Sequence, residues 1–161
     1  MTAAEYNQCV DKHADGVYRF ILKNIRNEEY ARDIVQDAFA KMWEKARDIS
    51  FGKSKSYLFT AAYHTMIDVI RKEKIKTDIE QVPEAISYTD SVYTDLKEVL
   101  EEAVEKLPEI QRSVVMLRDY EGYSYQEIGE ITGLNESQVK VYIYRARVFL
   151  KNYLVKIDNV I

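Results

Sequence analysis

Residues 124–147, SYQEIGEITGLNESQVKVYIYRAR, decide the fold, because they spell two helices and the tight turn between them. Ser124 and Glu127 stand at capping-box spacing, which starts a first helix. Gly133 falls where the turn needs a residue that tolerates positive φ. Asn135 and Gln138 repeat the cap pattern and open a second, longer helix. At about 100° per residue, Val139, Ile143, Ala146 and Leu150 gather on one face of that helix. Lys140, Tyr144, Arg147 and Lys151 gather on the opposite face, with Ser137 beside them. The pattern predicts a helix-turn-helix whose second helix suits a DNA major groove. An ordinary helical hairpin with a solvated basic face is the alternative for this segment taken alone.

Outward from this motif the chain of 161 residues reads as nearly all helix. Five glycines (Gly16, Gly52, Gly122, Gly129, Gly133) and two prolines (Pro83, Pro108) are its interruptions, and strand-like alternation is not sustained anywhere. A first helix is predicted over about 3–24, with Tyr6, Val10, Val17, Phe20 and Ile21 inward. Asn27 caps a second, whose buried face is read as Val35, Phe39, Met42, Trp43 and Ala46. The stretch Asp48–Lys53 breaks the pattern. A third helix starts near Ser54 or Ser56 and ends among Arg71, Lys72 and Lys74. Thr94 caps a fourth carrying Leu96, Val99, Leu100, Val104 and Leu107, and Pro108 opens a fifth with Val114, Val115 and Leu117. Residues 76–93 combine Pro83, acids and hydroxyls without a helical stripe, and read as a tether too long for a connection within one domain. The expected architecture is therefore all-α: a helical domain over 1–75, an acidic linker over 76–93, and a helix-turn-helix domain over 94–161.

A hydrophobic fraction of 47% suffices for packed cores. No apolar run approaches the roughly 20 residues of a membrane span, and the first residues lack the basic-then-apolar order of a secretory signal. A lone Cys9 excludes an internal disulfide, which fits a cytoplasmic protein. Cys9, His13 and His64 lack metal-ligand spacing, so no metal or other cofactor is expected. Glycine-rich phosphate loops, GxSxG and HExxH are all missing, and carboxylate pairs such as Glu28–Glu29 and Glu101–Glu102 are most simply solvated, which argues against an enzyme. The net charge of −4 is unevenly spread. Residues 1–75 hold 13 Lys/Arg against 11 Asp/Glu, residues 76–110 hold 3 against 10, and residues 111–161 hold 7 against 6. The acidity belongs to the middle, so either end can still present a basic surface.

Two surfaces stand out in the first half. On the second helix, Asp33, Gln36, Asp37, Ala40 and Glu44 share an outer face, readable as a solvated strip or a protein-docking one. On the third, Tyr57, Ala61, His64, Asp68, Arg71 and Lys72 share a face, with Lys53 and Lys55 at its start. Aromatics among cations can stack bases and track phosphates of single-stranded nucleic acid. A plain surface histidine and a partly buried tyrosine explain His64 and Tyr57 equally well. Trp43 is read as core.

Together these segments resemble the sigma factors of bacteria, in the small two-domain extracytoplasmic-function (ECF) group. ARDIVQDAFAKMWEKA (31–46) is similar to the family's acidic helix, SYLFTAAYHTMIDVIRKEK (56–74) to its minus-ten helix, and LPEIQRSVVMLRDYEGYSYQEIGEITGL (107–134) with SQVKVYIYRARVFL (137–150) to its minus-thirty-five domain. The resemblance implies that Asp33, Gln36 and Asp37 dock on the clamp helices of core RNA polymerase. It implies that Lys53, Lys55, Tyr57, His64, Arg71 and Lys72 hold unwound minus-ten promoter DNA, with Tyr57 and His64 stacking. It places Ser137, Gln138, Lys140, Val141, Tyr144 and Arg145 near base edges or phosphates, and Arg147 mainly near phosphate. An anti-sigma factor is an implied partner, and the acidic tether is expected to thread through polymerase. His64 stands where the family often has asparagine, and Val141 and Tyr142 where it often has small polar and basic residues; a valine there favours a thymine methyl. A stand-alone helix-turn-helix regulator of duplex DNA, or a protein-binding helical adaptor, remains the rival reading.

Overall fold

The computed structural model describes residues 1–80 and 96–160, with side chains over 1–76 and 97–156. Helix α1 (Ala3–Ile25) begins at a capping box formed by Thr2 and Glu5. The Thr2 hydroxyl accepts the Glu5 N–H at 3.1 Å, and the Glu5 carboxylate accepts the Thr2 N–H at 2.9 Å. The helix runs unbroken through Gly16, which therefore does not interrupt it, and stops at Arg26 in the left-handed region (φ 54°). Asn27 caps α2 (Glu28–Glu44) by accepting the Tyr30 N–H at 3.0 Å. Two 3-10 turns, Ala46–Asp48 and Phe51–Lys53, fill the expected break before α3 (Ser54–Glu80). That helix outruns its expected end, since no proline or glycine follows until Pro83. Residues 76–80 of the expected tether thus continue α3. The rest of the tether, and Thr94, lie outside the described residues.

Then come α4 (Leu96–Glu105), α5 (Glu109–Val115) and a π-helical turn, Met116–Tyr120, into which α5 passes directly. Pro108 is the N-cap residue of α5, where its missing N–H costs no hydrogen bond. Helix α6 (Tyr125–Thr132) and α7 (Glu136–Val160) complete the chain.

Helices α1, α2 and α3 pack on one another, and α4 and α5 pack against or lead to α7, as does α6. The face that α2 buries is Ala31, Ile34, Ala38 and Met42, one step round the helix from the expected one. Two alanines there let the neighbouring helices approach closely. Trp43 is consequently turned out, 53% exposed, and is not core. Val35 and Phe39 are half-buried beside it. Phe20, Ile21, Leu58, Phe59 and Met66 are buried nearly completely, each stabilising by about 1.5–3 kcal/mol relative to exposure.

The two halves also meet, an arrangement the sequence left open. Helix α3 packs on α6, and the end of α1 packs on α5. Phe59 lies between Phe20 (5.7 Å between centroids) and Tyr123 (5.5 Å, edge-on). Around this apolar seam the contacts are polar. The buried Asn24 amide oxygen accepts from Arg112 Nε at 3.2 Å and from the Ser113 hydroxyl at 3.3 Å, while its NH2 donates to the Phe20 carbonyl at 2.7 Å. Arg26 pairs with Glu105, and the Lys55 ammonium sits 4.7 Å from the Tyr123 ring centroid.

Candidate nucleic-acid interface

The helix-turn-helix is assembled by its caps and two glycines. Ser124 and Glu127 form the reciprocal capping box, each contact at 3.1 Å. Gly133, at φ 80°, donates its N–H to the Gly129 carbonyl at 2.8 Å and ends α6. Gly129 is required for a different reason: a Cβ there would lie 2.7 Å from the Leu134 carbonyl oxygen, where the turn folds back on the helix. Asn135 then accepts the Gln138 N–H at 2.8 Å, and Gln138 Oε1 accepts the Asn135 N–H at 3.0 Å.

Burial of Val139, Ile143 and Ala146 fixes the rotation of α7, with Leu150 half-buried behind them. Ser137, Gln138, Lys140, Val141, Tyr144, Arg145 and Arg147 are all exposed on the outer surface, Tyr144 by 71%. Three of them are already engaged. The Gln138 carbonyl oxygen belongs to the cap, which leaves only its amide NH2 outward. Lys140 pairs with Glu136 one turn back at 3.5 Å. Arg147 makes two hydrogen bonds to Asp119, at 2.6 and 3.4 Å, and that carboxylate raises its pKa further.

In the first half, the break between α2 and α3 frames a cleft of about 610 Å³, lined by Ile49, Ser50, Lys53 and Tyr57 and, from the other half, by Glu127 and Glu130. The Ser54 hydroxyl ties the loop by donating to the Phe51 carbonyl at 2.7 Å. Lys53 and Tyr57 are therefore brought together. His64 lies about 10 Å further along α3 at 1.5 Å per residue; it is exposed, edge-on to Tyr63, with Arg71 and Lys72 exposed beyond it. Lys55 does not join them, since its ammonium lies over Tyr123 and, at 5.9 Å, over Phe59. Burial and the Glu109 carboxylate push the Tyr63 hydroxyl up to about 12, so it stays protonated and takes no part as an anion.

On α2, Asp33, Gln36 and Asp37 are exposed together, and Asp37 pairs with Lys41 at 2.9 Å. Beside them Tyr6, Phe39 and Trp43 wall an open groove of about 620 Å³. Trp43 meets the Tyr6 ring edge at 4.9 Å.

Residues 9–75 match the family described as sigma-70 region 2, and residues 97–150 match sigma-70 region 4. The sigma factor SigV of Bacillus subtilis (strain 168) is 31% identical over 153 residues, covering 93% of this chain and 91% of that protein. The chain belongs to the sigma-70 family, in its ECF group. The ECF sigma factor SigE of Mycolicibacterium smegmatis is 30% identical over 94% of this chain, and the alignment spans 62% of SigE's length. Among solved structures, the sigma factor RpoE in complex with the anti-sigma factor NepR from Bartonella quintana shares the fold. It has a TM-score of 0.78 and 24% identity, covering 92% of this chain and 96% of that one.

Within this sigma-70 chain the region 4 match spans α4 to Leu150 in α7, and the region 2 match ends on α3. Sequence reading missed two features of the surfaces. Trp43 shares a helical face with Gln36 and Ala40, seven and three residues before it, and that spacing was the available signal. The acids Glu127 and Glu130, by contrast, carry nothing in the sequence that connects them to the loop at 49–53. No helix among the described residues is long and apolar enough to cross a membrane.

Proposed function

We propose that this chain is a promoter-specificity subunit of bacterial RNA polymerase, docking on the core enzyme through Asp33, Gln36, Asp37 and the neighbouring Trp43. In this reading α7 enters the major groove at the minus-thirty-five element, with Lys140, Val141, Tyr144 and Arg145 toward base edges and Ser137 and Arg147 toward phosphate. The cleft at 49–57 holds unwound minus-ten bases, Tyr57 stacking, with His64, Arg71 and Lys72 continuing the track along α3. The roles are non-catalytic: the protein selects where polymerase opens DNA, in the cytoplasm. The domains are those of residues 1–75 and 94–161. An antagonist of the anti-sigma class is a further partner, by analogy with the Bartonella complex.

The observation that carries this reading is that one sigma-70 chain bears both an exposed recognition helix and, on a separate helix group, an acidic strip and a loop cleft. A stand-alone repressor needs only the first, and an adaptor neither glycine-built turn nor basic face. Each well-made bidentate base contact is worth about 1–3 kcal/mol, and stacking contributes a comparable amount per base. The test is reconstituted transcription with core polymerase on a genomic promoter library, beside mobility shifts on duplex DNA with and without polymerase. New start sites that vanish in Lys140→Ala/Arg145→Ala are the expected result. Tight, specific duplex binding by the chain alone, with no transcription, would establish the repressor reading instead.

A further inference from the structure

The strand track along α3 lacks a cation of its own in the middle. Between Lys53 and Arg71 the sequence offers only Lys55, whose ammonium lies over Tyr123 and Phe59. From Ser54 to Arg71 the helix rises about 26 Å at 1.5 Å per residue. His64 and Asp68 are exposed on that stretch, and the Asp68 carboxylate repels phosphate. Helix α2 supplies what α3 lacks. The Lys41 ammonium reaches across and donates to the hydroxyl of Thr65, the residue after His64, at 3.4 Å. We infer that Lys41 is a further contact of the unwound strand, binding a backbone phosphate beside His64, and that Asp37 restrains it until polymerase takes that carboxylate. This role rests on the reading of α3 as the minus-ten track and of Asp37 as a polymerase contact.

Three side chains bridge the two helices. Asp37 Oδ2 lies 2.9 Å from Lys41 Nζ, one turn along α2, and 3.3 Å from the Thr65 hydroxyl, which also has the Ala61 carbonyl at 3.0 Å as an acceptor. Thr65 sits about 20° from Lys72 and about 40° from Ala61 around α3, and about 9 Å before Arg71 along it. The ammonium is therefore on the flank of the track, at the level where cations are missing. The side chains of Lys41 and Asp37 are 51% and 46% exposed. An ion pair between such groups is weak and is easily exchanged. Asp37 shares its strip with Asp33 and Gln36. A polymerase cation on that carboxylate leaves the Lys41 charge uncompensated, on a flexible stem that reaches a phosphate as a point charge.

The experiment measures anisotropy of a labelled, randomised single-stranded DNA of about 15 nucleotides across a salt series. The strand is added to the full chain, free and bound to core polymerase, with core alone as the baseline. Lys41→Gln is expected to weaken strand binding by the complex about 3-fold or more, and to lower its salt slope by about 0.7, the share of one phosphate on a single strand. Its affinity for core polymerase is expected to be unchanged or tighter, since Asp37 loses an internal competitor. Lys41→Arg is expected to keep the parent slope. Asp37→Asn is expected to raise the slope of the free chain by about the same 0.7, a gain that adding Lys41→Gln abolishes. A Lys41→Gln complex with the parent slope, while Arg71→Ala/Lys72→Ala still lowers it, overturns the strand contact alone. Weakened polymerase binding by Lys41→Gln makes the residue a docking or packing group and overturns the contact too. A free Asp37→Asn chain without the gain overturns the restraint. If neither Lys41→Gln nor Arg71→Ala/Lys72→Ala lowers the slope, the track reading fails and this contact with it. An Asp37→Asn chain that keeps full polymerase affinity overturns the docking reading, and with it the release.

Discussion

Gly129→Ala sets two opposing effects against each other. Alanine in place of glycine within a helix is worth about 1 kcal/mol in its favour. Against this, the new Cβ would sit 2.7 Å from the Leu134 carbonyl oxygen, backbone rather than a flexible side-chain end. Ordinary contact needs about 3.4 Å or more, so the turn must yield by roughly 0.7 Å, and forced overpacking typically costs about 1–3 kcal/mol. Leu134 lies between the end of α6 at Gly133 and the cap of α7 at Asn135, so the shift tilts the recognition helix against its base. The net expected loss is about 0–2 kcal/mol, or up to about 8 °C in Tm for a chain of this size, with duplex DNA affinity reduced at least in proportion. Thermal denaturation and mobility shift in the presence of core polymerase measure the two. Gly133→Ala is the comparison: no atom lies within 4 Å of its Cβ, so its cost of about 1–2 kcal/mol comes from the backbone at φ 80°. A Gly129→Ala protein that melts higher than the parent and keeps its DNA affinity refutes the close-approach argument.

Trp43→Ala should leave stability within about 1 kcal/mol of the parent, because the ring is half in solvent, yet weaken binding to core polymerase about 10-fold or more, as loss of an interface tryptophan does; thermal denaturation and surface plasmon resonance together separate the two effects. Asp119→Ala frees Arg147 from its two hydrogen bonds, so the salt dependence of duplex binding should steepen by about one phosphate contact; an unchanged slope places Arg147 away from the DNA. The pKa of His13 is lowered first by burial and then by Lys55 and Lys12. The unfolded chain therefore takes up the His13 proton more readily than the folded one. Its contribution is present above about pH 6.5, the unfolded value, and is lost as pH falls through the lower folded value. Denaturant midpoints between pH 7 and 5 should fall, and His13→Gln should flatten that part of the profile.

Much of this architecture is local and was legible in the residues. Caps, glycine turns and helical periodicity act over three or four positions, so the Ser124–Glu127 box, the αL Gly133, the Asn135–Gln138 cap and the outer face of α7 follow from spacing alone. The same holds for the exposed Asp33, Gln36 and Asp37. Other features depend on what packs where. Which face of α2 turns inward was set by the close approach that Ala31 and Ala38 allow, and the rule that large residues go inside sent Trp43 the wrong way. Lys55 has the charge and the position for a DNA face, but a ring from a residue 68 positions later holds it at the seam. Sequence fixes each helix and its chemistry because those forces are short-ranged. Only tertiary structure could bring Asn24 to Arg112, or Glu127 and Glu130 over Lys53 and Tyr57, since nothing within one helix encodes the partner it meets.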